Sequence, residues 1–306
     1  MDRSSYFIQD KALFGSFPTQ EAVNELEREG VKFFINLTHD NEKKITPYQT
    51  KYTYISFPIN DRHVPTDWKA FACFLIKISD IINNLNEGEL VYIHCKGGHG
   101  RSGIVVACLL CHMFDFSPEE SLEHTTNSHS KRNEMKERWR RLGSPQTSKQ
   151  KSFVYKFFDN LNFYRAYRSG YTAGFSTFTT HPVHVFGALY PTAEAAIQAM
   201  KCPNDKEYLS KQQNARSPVV SKNLGRKVIL REDWEEVCND LLYEIIKCKF
   251  DQHPYLQNIL INTGLRPIVQ HTRGDNFFGD GGDGSGQNRL GKVLTKLREY
   301  YYRELV

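Results

Sequence analysis

With 306 residues, of which 40% are hydrophobic and 25% charged, the chain can bury two cores of roughly 150 residues each. A net charge of +5 admits an anionic substrate without demanding nucleic acid. The N-terminus, MDRSSYFIQDK, is charged where a signal peptide needs an apolar stretch, and no apolar run reaches the roughly 18 residues of a bilayer span. The expectation is therefore an intracellular, soluble protein, cytoplasmic or nuclear. Seven cysteines without framework spacing argue for reduced thiols, and the one close pair, Cys108 and Cys111, sits inside IVVACLLCHMF and reads as core. Neither a metal nor a cofactor is expected.

In chain order, helical spacing covers about 19–29, alternation marks VKFFINL (31–37) and YTYISFPI (52–59) as strands, and a helix is predicted over 67–86. ELVYIH (89–94) reads as a further strand, followed by helices at about 101–114, 118–128 and 131–141. Thr147 with Gln150 three positions later offers a capping box for a helix bearing Phe153, Phe157 and Leu161. Strands alternating with helices predict an α/β domain with a mostly parallel sheet over 1–162. From 163 to 306 the character changes. Aromatic-rich loops (FYRAYRSGYTAGFSTF onward) precede helices near 192–202, 205–213, 231–250 and 288–303, with a glycine-dense loop, GDGGDGSGQNRLG, at 279–291. A mainly α second domain is expected there.

HCKGGHGRSG (94–103) places Cys95 between a strand and a helix. Backbone N–H groups converge at such a turn and the helix dipole is positive, which favours a thiolate and a bound dianion. Arg101 offers a planar fork to two phosphate oxygens, while Gly97, Gly98 and Gly100 let the backbone curl around the anion. Ser102 can hydrogen-bond the sulfur as leaving group, and His94 can orient the loop through its ring N–H. On spacing alone, a buried cysteine beside a tight turn is the competing reading.

His94, Cys95, Arg101 and Ser102 match HC-x5-R-S/T, and the segment resembles the cysteine-dependent tyrosine and dual-specificity phosphatases. The flanks GSFPTQEAVNEL and SPQTSKQKSFVYKF extend the resemblance over roughly 10–160. It implies a phosphocysteine intermediate and an upstream aspartate as acid. SFPINDRHVPTDW supplies two, of which Asp61, directly after a strand, is preferred, and Asp67 before Trp68 reads as a helix cap. Lys96 and His99 either add positive charge, a feature similar to phosphatases of inositol lipids, or are simply solvated, so the substrate stands open among phosphoprotein, inositide and nucleotide. KRNEMKERWRR (131–141) likewise stands between an anion surface and a solvated face.

YPTAEAAIQAMK sets Glu194, Gln198 and Lys201 on one face of an apolar helix, as solvent side or as pocket floor. FYRAYRSGYTAGFSTF, ARSPVVSKNLGRKVILREDW, KFDQHPYLQNILINTG and HTRGDNFFGDGGDGSGQNRLGKVL together resemble the NADAR, or YbiA-like, family over about 163–303. That resemblance implies cleavage of an N-glycosidic bond in a nucleotide-derived or ADP-ribosyl substrate, through an oxocarbenium-like state that a carboxylate stabilises. It implies catalytic roles for Glu194, Asp280 and Lys201, the last as an amine that could trap the ribose aldehyde. Gln198, Arg226, Arg231, Trp234, Phe278, Gly279, Gly281 and Asn288 complete the implied ligand-binding set, with capping and packing as alternatives for Arg226, Arg231 and Trp234. Backbone donors of loop 279–286 are expected to meet diphosphate. The chain departs from the family at Ala195, where a histidine is usual, at Thr177 and at Phe278. A non-catalytic ADP-ribose, nucleotide or nucleic-acid binding module is the alternative role for this domain.

Overall fold

The computed structural model describes residues 2–164 and 170–305. Residues 165–169, part of the aromatic-rich stretch, lie outside the described residues. The chain divides into two compact units, one ending at Asp159 and the other running Asn160–Leu305. The division falls a few residues ahead of 162 because Leu161 already pairs into the sheet of the second unit.

The first unit is built on five strands: β1 (Ser4–Ile8), β2 (Ala12–Gly15), β3 (Val31–Asn36), β4 (Thr53–Ser56) and β5 (Leu90–His94). Their order is β1-β2-β5-β3-β4, antiparallel between β1 and β2 and parallel elsewhere. This is the α/β architecture expected, with a hairpin added. That hairpin was not legible: its strands are five and four residues long, too short for alternation to show, and the turn between them places Asp10 at a positive φ of 56°.

Six helices complete the unit: α1 (Gln20–Arg28), α2 (Trp68–Asn83), α3 (Arg101–Phe114), α4 (Pro118–Ser130), α5 (Glu137–Leu142) and α6 (Ser148–Phe157). Thr19, Asp67, Ser117 and Thr147 cap four of them, and the Thr147–Gln150 capping box forms as the sequence implies. β5 is buried along its whole length, and so is α3 from Arg101 to Cys111. A strand and helix with no solvent face can only be central, and the loop joining them emerges at the carboxyl end of the sheet. Cys108 and Cys111 are core residues whose thiols burial pushes up, Cys111 to about 11. The helix expected over 131–141 is shorter. Residues 131–136 stay irregular because Arg132 turns its guanidinium inward onto backbone carbonyls.

The second unit is mainly α. Its helices are α7 (Ala193–Ala199), α8 (Lys206–Gln213), α9 (Pro218–Gly225), α10 (Trp234–Gln252), α11 (Pro254–Ile261) and α12 (Arg289–Arg303), with a 3-10 turn at Gly170–Phe175. Two small sheets accompany them: β6 (Leu161–Phe163) parallel to β9 (Ile268–Gln270), and the hairpin of β7 (Val183–Val185) and β8 (Ala188–Tyr190). α7 is buried on every face, so its polar residues cannot be a solvent stripe. Among the described residues no helix is long and apolar enough to cross a membrane.

Candidate functional site

In the first unit Cys95 follows β5 directly and is 3% exposed, with its Sγ 3.5 Å from Ser102 Oγ in the first turn of α3. Gly98, at φ +72°, takes a conformation that a Cβ would strain, and that Cβ would also lie 2.4 Å from the Gly15 carbonyl carbon. Gly97 lines a neighbouring cleft, and Gly100 is the N-cap of α3, packed on the Gln150 amide. Arg132, 3% exposed, braces the loop from behind: it donates to Gly98 O at 2.8 Å and to Phe14 O at 3.0 Å.

Arg101 is 1% exposed. Its Nη atoms donate to both Glu42 carboxylate oxygens, to Ile59 O at 2.9 Å and to Asp61 Oδ1 at 3.1 Å. Its Nε is buried and meets no acceptor among the described residues. Burial works against the guanidinium charge, yet Glu42, Cys95 and Asp61 together outweigh it and raise the pKa. Burial likewise pushes the Glu42 carboxyl up, and the Arg101 contact more than reverses this. Asp61 is thus brought to the arginine, while Asp67 caps α2 by accepting from Ala70 N at 2.9 Å.

His94 is fully buried, and burial drives its pKa down to about 3, so the ring is neutral; Tyr48 Oη lies 2.7 Å from its Nε2. His99 does not supply charge either. Burial and Arg132 hold it near 4, its Nδ1 lies 2.8 Å from His129 Nε2, and Trp139 stacks on it at 4.9 Å. Lys96 reaches away to Lys43 O at 2.8 Å. A cleft of about 550 Å³ runs beside the loop, lined by Lys96, Gly97, His99, Arg132, Lys136 and Trp139 among others.

In the second unit a cavity of about 280 Å³ gathers Glu194, Gln198, Lys201, Arg226, Trp234 and Phe278, dispersed over 85 positions of sequence (278 − 194 + 1). Glu194 is 3% exposed and accepts from Thr177 Oγ1 at 2.7 Å and from Gln198 Nε2 at 2.8 Å. Burial lifts its pKa, and those hydrogen bonds with Lys222 and Lys201 offset only part of the rise. Burial lowers the Lys201 pKa, against Glu194 and with Lys222 and Arg226. Gly225 is needed for close approach, since a Cβ there would lie 1.9 Å from Gln198 Oε1.

A family model described as "Swiss Army Knife protein, DSP-PTPase phosphatase domain" matches residues 3–154, and one described as "NADAR domain" matches 162–301. A tyrosine-phosphatase-named protein of Invertebrate iridescent virus 6, 197R, is 34% identical over 297 residues, covering 96% of this chain and 90% of the viral one. The N-glycosidase YbiA of Escherichia coli is 38% identical over 141 residues, covering 45% of this chain and 86% of YbiA. An NMR structure of E. coli YbiA aligns at a TM-score of 0.45 with 36% identity, covering 48% of this chain and 87% of that one. The chain is a DSP-type phosphatase joined to a NADAR domain. It is an enzyme.

Within this phosphatase–NADAR chain, several implied residues lie outside the cavity. Asp280 accepts from His271 Nδ1 at 2.7 Å, Gly282 N at 2.8 Å and Thr272 N at 3.2 Å, and organises its own loop. Despite burial, those donors, His271 first, hold its pKa below the usual range. Loop 279–286, expected to offer backbone donors to diphosphate, already has six of its eight N–H groups engaged. The N–H groups of Asp280, Gly281, Gly282, Gly284, Ser285 and Gly286 are all spent on internal bonds. Gly279 packs against the Asp275 and Gln270 carbonyls, and Gly281 turns at φ +79°. Asn288 ties β9 to α12 through Gln270 N and Ile268 O, each at 2.9 Å. Arg231 pairs with Asp233 at 2.5 Å and lies outside the cavity lining.

Sequence reasoning missed Glu42, Tyr48, His129 and Arg132 in the phosphatase domain, and Lys222, Asp275 and Phe277 in the NADAR cavity. Lys222 lies within the quoted ARSPVVSKNLG, so its position was in view. Glu42 had no signal, since NEKKITP reads as an ordinary charged loop.

Proposed function

We propose that the chain hydrolyses a phosphomonoester through phosphocysteine and cleaves an N-glycosidic bond in a nucleotide-derived or ADP-ribosyl substrate. The Cys95 sulfur attacks phosphorus, an S–P bond forms, and the P–O bond to the leaving group breaks as protonated Asp61 gives that oxygen its proton. Water then attacks phosphorus with Asp61 as base, and the S–P bond breaks with Ser102 Oγ donating to the departing sulfur. Arg101, through its Nε and any Nη that Asp61 releases, and the loop N–H groups hold the equatorial oxygens throughout. The observation that carries this reading is the Cys95 Sγ held 3.5 Å from Ser102 Oγ, with the adjoining Arg101 keeping a buried Nε that meets no acceptor among the described residues.

In the NADAR domain the Glu194 carboxyl stabilises positive charge on the ribosyl carbon, or orients water to it, as the base leaves. Lys201 lies in the same cavity and carries a lowered pKa, which favours the neutral amine that imine formation with the opened sugar requires. A ligand-binding role without turnover is the second reading, favoured by Ala195 in place of the family's histidine and by the Asp280 carboxylate being spent on its loop.

The test is a screen of wild type, Cys95→Ser and Glu194→Ala against phosphopeptides, inositides, nucleotide phosphates and ADP-ribosylated DNA or RNA. Phosphate release should vanish with Cys95 and base release with Glu194. Ligand retention without turnover in wild type and Glu194→Ala alike would leave the binding module.

A further inference from the structure

A buried cation holds the segment that holds Glu194. Lys249 lies in α10 and is 0% exposed. Its Nζ donates to Gly174 O at 2.6 Å, to Ser176 O at 2.8 Å and to Thr179 Oγ1 at 2.9 Å. Those acceptors use all three protons of an ammonium and bracket the segment 174–179 at both ends. Among the described residues the ammonium hydrogen-bonds only to carbonyl and hydroxyl oxygens, with the Phe250 ring centroid 6.0 Å away, and no carboxylate pairs with it. An apolar side chain of similar length would fill such a site with less desolvation, so packing alone does not account for a lysine here. Burial pushes its pKa down to about 7, as expected for a charge kept by neutral dipoles alone.

Inside the clamped segment sits Thr177, which touches Glu194 twice. Its carbonyl accepts from Glu194 N at 3.0 Å, and its hydroxyl donates to Glu194 Oε2 at 2.7 Å. Thr179 also meets His181 Nδ1 at 2.8 Å, so the far end of the segment is tied a second time. Ser176 and Thr179 bond each other at 3.0 Å, which leaves the Lys249 carbonyl contacts to set the near end.

We infer that Lys249 is a positioning residue for the NADAR site: by clamping 174–179 it fixes Thr177, and through Thr177 the direction and charge of the Glu194 carboxylate. This rests on Glu194 being the working carboxylate of that cavity. Lys249 itself touches no substrate.

The experiment follows the Glu194 carboxyl by ¹³C NMR in the full chain, as wild type, Lys249→Met, Thr177→Val and the double variant. The Thr177 hydroxyl is one of the groups that lowers the Glu194 pKa, so each single variant should titrate at higher pH than wild type. The double variant should titrate no higher than Thr177→Val alone. A Lys249→Met titration equal to wild type, or a double variant that sums two separate shifts, overturns the inference. If Lys249→Met does not fold, Thr177→Val still decides: an unchanged Glu194 titration there shows that the Thr177 hydroxyl does not set the charge of the carboxylate, and overturns the inference. Base release from ADP-ribosylated DNA by Glu194→Gln is the separate arm. Turnover surviving that change sinks the reading of Glu194 while leaving the measured coupling intact.

Discussion

The two halves reach an anion-handling site by opposite routes. In the phosphatase domain the proposed nucleophile Cys95, the Arg101 guanidinium and the Ser102 hydroxyl lie within eight consecutive residues (95–102), and the surrounding fold only has to hold one turn in place. In the NADAR domain, six of the expected residues converge from α7, the start of α10 and the segments connecting the helices into a cavity of about 280 Å³. The first arrangement is robust because neighbours in sequence are neighbours in space. The second depends on packing, so a change far from Glu194 can reach it through segments such as 174–179.

The largest effect that could break this contrast is Cys95→Ser. Phosphate release from a small aryl phosphate should fall by roughly 10⁴-fold or more, since the nucleophile acts as a unit with its loop. ADP-ribose binding by the NADAR domain, followed by calorimetry, should be unchanged.

Next is Arg101→Lys. An ammonium cannot fork, and kcat should fall by roughly 10³-fold in a steady-state assay, with folding kept as judged by circular dichroism.

Glu194→Gln against Asp280→Asn sharpens the second half of the comparison. Glu194→Gln should lower base release by roughly 10²-fold or more. Asp280→Asn should cost about 1–3 kcal/mol in denaturant unfolding, because the carboxylate accepts three donors, and should leave kcat nearly unchanged. Equal losses of kcat in both would place Asp280 back in the chemistry.

The last effect is a slope in pH. The folded-state pKa values of His94, His99 and His129 are about 3, 4 and 3, below the roughly 6.5 of an unfolded chain. Between those limits the unfolded state binds more protons, so stability is full above about pH 6.5 and is lost as pH falls toward 3–4. Unfolding of the phosphatase domain followed from pH 7 to 4 should show this slope, and His129→Gln should flatten it.

What could be read from sequence follows the same division. HCKGGHGRSG, the capping box at Thr147–Gln150 and the strands of 31–37 and 89–94 were legible because their determinants are local. The β1–β2 hairpin was not, for want of length. Nor was the use of Glu42, which Arg101 recruits from an irregular loop 59 positions away. The role of His99, open between charge and solvation in the sequence, was not legible because its burial and its neighbours Arg132 and His129 come from distant segments. The loop 279–286 looked like a diphosphate cradle by composition, but its glycines serve turns whose N–H groups close on Asp280 and its neighbours.

The most direct measurement is to quench the enzyme during turnover of an aryl phosphate and map the phosphorylated residue by mass spectrometry. The phosphocysteine mechanism predicts phosphate on Cys95 alone, accumulating further when Asp61→Ala slows its hydrolysis, and none in Cys95→Ser. Turnover without a labelled cysteine, or a label that survives Cys95→Ser, would contradict it.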